Sequence, residues 1–164
     1  MQIAILLFDD ITALDAVGPY EVLSRIPGAT VSRVASTPGL KKAKGGLSLM
    51  ADHHLDDACH PQIILVPGGS GVDEVMKDPS VIQWIRTAHE MSLFTTAVCT
   101  GTLVLGAAGL LNGLKATTHW NYRGRLTEFG AAAVSERVVR EGRIVTAAGV
   151  SAGIDMALRL VQWM

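Results

Sequence analysis

At 164 residues the chain has the length of one ordinary globular domain. Hydrophobic residues make up 49% of it and charged residues 18%, which excludes a disordered or fibrous chain and requires extensive burial. Fourteen basic against 15 acidic side chains leave a net charge of -1, so this segment has no basic field to hold a nucleic-acid backbone. Its two cysteines, Cys59 and Cys99, sit in no CxxC or CxxH pairing; no zinc site, no disulfide framework and no cofactor are expected, and the setting is cytoplasmic. The N-terminus lacks the basic flank and small-residue cleavage site of a signal peptide, and no apolar run reaches membrane-spanning length, so no membrane partner is expected.

In chain order, Ile3 to Phe8 is a continuous apolar run closed by Asp9 and Asp10, the pattern of a strand buried on both faces in a parallel sheet. Asp15 to Arg25 reads as a helix with Val17, Val22, Leu23 and Ile26 on its apolar stripe. The cluster of His53 and His54 with Asp52, Asp56 and Asp57 reads as a solvated loop, because adjacent histidines on a strand would point to opposite faces. Ile63 to Val66 repeats the buried-strand pattern and ends at Pro67-Gly68-Gly69. Asp78-Pro79 predicts an N-cap followed by proline at the first helical position, opening a helix to about Glu90. Leu93 to Val98 is a third buried strand, and Thr100 to Ala108 a buried helix stopped by Gly109 and the Asn112-Gly113 turn. Val134 to Val139 and Arg143 to Ala147 flank Glu141-Gly142 as a hairpin. Ser151 to Met164 forms a final helix with Ile154, Ala157, Leu158 and Val161 inward. The alternation predicts an α/β fold, a three-layer α/β/α sandwich of mostly parallel sheet with a small antiparallel addition. Ligands bind such folds beyond the carboxyl ends of the strands, which selects Asp9 to Gly18, Pro67 to Gly71 and Cys99 to Gly101.

Val98-Cys99-Thr100-Gly101 falls where a buried strand gives way directly to a helix, the setting of a nucleophile elbow. Backbone amides and the helix dipole there are expected to favour a thiolate and a developing oxyanion. Free cysteine is otherwise a small buried hydrophobe, and that packing role is assigned to Cys59. Asp15 alone would be a helix cap; at the same rim as Cys99 its carboxyl can approach the sulfur, where desolvation raises its pKa and fits it to move a proton. Glu21, a turn further on, faces solvent. The glycines of Pro67-Gly68-Gly69-Ser70-Gly71 lack the Lys-Ser or Lys-Thr pair of a nucleotide loop, leaving either a plain turn or two amides, at Gly68 and Gly69, that face one ligand atom. His119, after a short β-like segment, reaches the same rim or is a hydrogen-bonded structural group.

On Leu14-Asp15-Ala16-Val17-Gly18-Pro19-Tyr20-Glu21-Val22, Val66-Pro67-Gly68-Gly69, Val98-Cys99-Thr100-Gly101 and Ala116-Thr117-Thr118-His119-Trp120, the chain resembles the ThiJ/PfpI superfamily, relatives of the class I glutamine amidotransferases, over essentially its whole length. The combination looks most like the isonitrile hydratase branch and the amidase-like domains of AraC-type regulators. The resemblance implies a flavodoxin-like sandwich, a homodimer with the cysteine near the subunit interface, and a small organic substrate. Carried over by position, it makes Cys99 the nucleophile, Asp15 the acidic partner and Thr100 the neighbouring residue that shapes a hydratase site. Gly68 and Gly69 match the glycine pair beside the cysteine, and with His119 they are assigned to substrate or oxyanion binding.

Two departures narrow the expectation. Protease-like members carry His directly after the cysteine where this chain has Thr100, and glutamine amidotransferases carry Gly where Ala97 stands. Members of the family commonly continue past the helix that ends at Met164, so the expectation is a single domain that is either trimmed at that end or shown without a disordered tail. The expected activity is hydration of an isonitrile to an N-substituted formamide through a thioimidate on Cys99. The alternatives are a ligand-sensing domain of an AraC-type regulator and an oxidative-stress or protein-repair member in which Cys99 is oxidised.

Overall fold

A computed structural model describes residues 1–58 and 60–164 of the chain. Cys59, expected to pack in the interior, lies outside the described residues. The elements are β1 (Gln2–Leu6), α1 (Ala13–Leu23), β2 (Thr30–Ala35), β3 (Gly39–Lys42), β4 (Ser48–Ala51), β5 (His53–His54), β6 (Ile63–Val66), α2 (Val72–Val75) and α3 (Pro79–Met91). They continue with β7 (Phe94–Val98), α4 (Gly101–Ala107), β8 (Lys115–Ala116), β9 (Ala132–Ala133), β10 (Val138–Glu141), β11 (Ile144–Ala147) and α5 (Ala152–Trp163), with 3-10 turns over Leu55–Ala58 and Trp120–Phe129.

Seven strands form one sheet in the order β10-β11-β7-β6-β1-β2-β5, parallel throughout except for the β10/β11 hairpin. The parallel strands are apolar runs because both faces are covered: Ile3, Ile5, Leu6, Ile63, Ile64 and Leu65 are all essentially inaccessible to solvent. Helices α1 and α5 pack together, as do α3 and α4, giving the expected three-layer sandwich. The chain leaves β1 toward β2 in one direction and returns to β6 on the other side of β1. Strand order therefore reverses between β1 and β6, the place where a crevice opens at the carboxyl ends of such a sheet.

The cap at Asp78 forms as expected, its carboxylate accepting from the Ser80 amide at 2.9 Å with Pro79 at the first helical position. The hairpin forms with Glu141 paired to Ile144 at its turn and Val138 to Ala147 at its open end, although Val134 falls outside it. Two expectations need correction. His53 and His54 do not lie in a loop; they form a two-residue strand at the sheet edge, half-buried, with His53 Nδ1 2.9 Å from Asp52 and His54 Nδ1 3.3 Å from Asp56. Backbone pairing to Val34 and Ala35 outweighs the polarity of the side chains. In α5, Leu158 and Val161 face outward, 51% and 43% exposed, while Gly153, Met156, Ala157 and Leu160 face inward. The inward stripe is set by size: a Cβ on Gly153 would stand 3.0 Å from Val98 Cγ2 and 3.3 Å from Pro19 Cγ, so α5 presses closest to the sheet where its side chain is smallest. Finally, the β3/β4 hairpin was not evident in the sequence, its strands carrying Lys41, Lys42 and Ser48 rather than an apolar run.

Candidate active site at the strand-to-helix elbow

Strand β7 ends at Val98, and Cys99 takes a left-handed backbone conformation with φ 58° before Thr100 and Gly101 open α4. A non-glycine residue in that region costs about 1 kcal/mol or more and is held only by its surroundings. Those surroundings are explicit. Cys99 N–H donates to the Ala147 carbonyl at 2.9 Å, continuing the β7/β11 ladder, while its own carbonyl accepts from the Thr118 hydroxyl at 2.6 Å. Two glycines permit the close approach. A Cβ on Gly101 would meet Val66 O at 2.2 Å, and one on Gly68 would meet Thr100 N at 2.7 Å and Cys99 Cβ at 2.8 Å. The end of β6 therefore lies directly against the elbow.

Asp15 reaches the same place from α1. It is not the cap of that helix: Thr12 holds the N-cap position, and Asp15 sits in the first turn, with no exposed surface. The Thr12 amide donates to Gly68 O at 2.8 Å, and the Gly68 amide donates to Asp15 Oδ2 at 3.1 Å, so the start of α1 and the glycine loop fix each other. The second carboxyl oxygen, Oδ1, is buried without a partner of good geometry, and the Cys99 thiol lies beside the carboxyl. Burial raises the Asp15 pKa from its ordinary 3.8 to about 6, opposed by the Gly68 amide and the Cys99 thiol. That direction is the one expected for a desolvated carboxyl at this rim.

The state of the sulfur is not the expected one. Burial, reinforced by the Asp15 charge, pushes the Cys99 thiol up to about 11, against the pull of the Thr100 amide and hydroxyl. This direction runs against the expected thiolate stabilisation: α4 is seven residues long, and the Thr100 amide and hydroxyl pull against both burial and the neighbouring carboxylate. Both shifts favour the uncharged form, so the site pairs a thiol with a carboxyl that titrates close to neutral pH.

The glycine amides also depart from expectation. They do not converge on one empty position, because Gly68 N–H is engaged by Asp15 and Gly69 N–H donates to Thr100 Oγ1 at 2.9 Å. Thr100 Oγ1 in turn donates to Gly69 O at 3.2 Å. The glycine pair orients the acid and the threonine, and the amide facing the sulfur is that of Thr100. His119 approaches Cys99 across Gly149. A Cβ added to Gly149 would be 3.5 Å from His119 Cδ2 and 3.8 Å from Cys99 Sγ, so both border the same gap. The His119 ring Nδ1 accepts from Asn121 N–H at 3.3 Å, fixing the start of the 3-10 turn. Glu21 is exposed and paired with Arg25.

Sequence reasoning missed Thr118 and Gly149. The signal for Thr118 was a second hydroxyl in Thr117-Thr118-His119 directly after a short strand; Gly149 carried none, since its role depends on β11 lying beside β7. Among the described residues there is no cluster of metal-ligating side chains and no helix long and apolar enough to cross a membrane.

The profile of the DJ-1/PfpI family matches residues 1–163. Isonitrile hydratase of Pseudomonas putida is 43% identical over 162 residues, which are 99% of this chain and 71% of that protein. A solved ThiJ/PfpI family protein from Pseudomonas syringae superposes with a TM-score of 0.95 at 34% identity, covering 99% of this chain and 68% of that one. The HTH-type transcriptional regulator GbdR of Pseudomonas aeruginosa is 29% identical over 98% of this chain, which spans 46% of the regulator.

Proposed function

Since this chain belongs to the DJ-1/PfpI family, we propose that it is a cysteine-dependent hydratase that converts an isonitrile, R–N≡C, to the N-substituted formamide. The observation that carries the reading is the pairing of Cys99, held in a left-handed elbow, with a buried Asp15 whose pKa of about 6 lies close to neutral pH. Similarity to the Pseudomonas putida isonitrile hydratase over nearly the whole chain supports the substrate class.

The resting protonation pattern suits an electrophile that must gain both a nucleophile and a proton. Asp15 takes the thiol proton as the Cys99 sulfur bonds to the terminal carbon, and that proton passes to the same carbon, giving the thioimidate R–N=CH–S. Water then adds to the carbon, with Asp15 removing one of its protons and supplying it to nitrogen. Collapse of the adduct breaks the C–S bond, returns a proton to the sulfur and releases R–NH–CHO. The sum is R–N≡C plus water. Thr100 faces the sulfur with its amide and is held by Gly69, while Gly68 holds Asp15 in place. His119 borders the approach to the sulfur. The enzyme acts as a cytoplasmic homodimer.

A second reading, a ligand-sensing domain of a transcription regulator, is favoured by the similarity to GbdR. The oxidation-sensor reading is disfavoured by a thiol pushed up to about 11, because the thiolate is the form that peroxide attacks. A panel of isonitriles, amides and glyoxals assayed on wild type beside Cys99→Ala separates these readings. Formamide formed from an isonitrile by wild type alone supports the hydratase; turnover of an isonitrile by Cys99→Ala at the wild-type rate contradicts the thioimidate route.

A further inference from the structure

A cavity of about 430 Å³ opens on the His119 side of the elbow. Gly149 lines it and also adjoins the sulfur, since a Cβ there would be 3.8 Å from Cys99 Sγ and 3.5 Å from His119 Cδ2. From His119 the wall continues through Trp120, whose ring centroid is 5.5 Å from that of His119 and whose side chain is 70% exposed. Arg123 follows one turn on, its Nε donating to the Trp120 carbonyl at 3.5 Å. Gly149 thus adjoins both the sulfur and the cavity, whose wall runs on over an aromatic face to a guanidinium.

The charges along this path are unequal in what they offer. Arg137 also lines the cavity, but it is engaged by Asp155 and by Ser151 Oγ at 3.0 Å. Arg123 is half-buried and, among the described residues, forms no ion pair. Glu136 also lines the cavity and forms no ion pair among the described residues, but it is exposed, where water and salt screen it. A partly desolvated cation without an acid rewards an incoming anion more than a solvated carboxylate rewards a cation. Thr117, which also lines the cavity, has a buried hydroxyl lacking a hydrogen-bond partner.

We propose that this cavity is the subsite for the substrate's substituent, and that it selects a planar aryl group bearing a carboxylate, with Trp120 as the stacking face and Arg123 as the specificity-determining residue. The proposal rests on the hydratase reading for its kinetics and stands apart from it for its binding. A guanidinium meets a carboxylate through two parallel N–H donors, and an indole face holds a flat ring, so the two residues together read both parts of one ligand.

The test combines turnover with binding. With 4-isocyanobenzoate and phenyl isocyanide as substrates, wild type is expected to favour the carboxylate by about tenfold in kcat/KM at low salt; that preference falls to about one in Arg123→Gln and rises in Glu136→Gln. In parallel, sodium benzoate is expected to shift the Trp120 indole N–H resonance of wild type, while benzamide and the Arg123→Gln variant give no such shift. The Trp84 and Trp163 resonances serve as controls. Equal kcat/KM for the two isonitriles, or a preference that survives Arg123→Gln, overturns the subsite and leaves the hydratase intact. Benzoate binding through Arg123 without turnover of either isonitrile sustains the subsite and removes the hydratase. Benzoate and benzamide shifting Trp120 alike overturns the anion preference outright.

Discussion

The Asp15 carboxyl is held 3.1 Å from the Gly68 amide through one oxygen, while its other oxygen is buried without a well-formed partner beside the Cys99 thiol. A buried acid left half-satisfied is costly to the fold. For an acid whose native pKa is raised, stability is full below the unfolded pKa and is lost as pH rises through the native one. The rise from 3.8 to about 6 corresponds to roughly 3 kcal/mol, lost progressively between about pH 4 and pH 6.

Asp15→Asn keeps an acceptor for the Gly68 amide and removes the charge. It is expected to raise the melting temperature at pH 7 to 8 and to flatten the stability profile between pH 4 and 6. It should also slow isonitrile hydration by about 10² to 10⁴-fold. Thermal melts across that pH range check the first part, and a variant less stable than wild type at pH 8 would count against a strained carboxylate.

Reaction of Cys99 with iodoacetamide should be slow at neutral pH and climb toward pH 11, because a thiol with that pKa is ionised to roughly one part in ten thousand at pH 7. In Asp15→Asn the nearby charge is gone, so alkylation of Cys99 at pH 7 to 8 is expected to accelerate. Mass spectrometry of the labelled peptide over time reads both effects. A Cys99 labelled rapidly at pH 6 would show a low thiol pKa and contradict the electrostatics described.

The core strands and the elbow were legible in the sequence because each is a local signal. Ile63 to Val66 is apolar and short, Asp78-Pro79 is a cap with its proline, and Cys99 interrupts a strand directly before a helix. Asp15 was legible by position, since α/β topology sends β1 and β7 to one rim. What escaped depended on neighbours in space. The thiol's high pKa needs the Asp15 charge and the burial to be known together, and the occupied amides of Gly68 and Gly69 need the partners themselves. The inward face of α5 departs from hydropathy at Leu158 and Val161, because it is the small Gly153 that permits contact with Val98 and Pro19.

Thr100→Val removes the hydroxyl that accepts from Gly69 N–H and donates to Gly69 O. An unpaired amide in that loop costs about 1 to 3 kcal/mol, and the loop that carries Gly68 loosens with it. Thr100→Ser, which keeps the hydroxyl, is expected to recover most of the stability. Denaturant melts of the two variants check this, the expected order being wild type, then Ser, then Val.

Gly101→Ala drives a methyl group into the backbone at the end of β6, 2.2 Å from Val66 O. A destabilisation of about 2 to 4 kcal/mol is expected, since the obstruction is main chain and cannot swing aside. A chemical melt within 0.5 kcal/mol of wild type, on the scale of an inert surface change, would show that the elbow is looser than described.

The most direct measurement is intact-protein mass spectrometry during turnover of an aryl isonitrile, on wild type and on Cys99→Ala. The wild-type chain is expected to gain the mass of one isonitrile on the Cys99 peptide while formamide accumulates, and Cys99→Ala is expected to show neither. Formamide produced at the wild-type rate by Cys99→Ala would contradict the cysteine-centred mechanism.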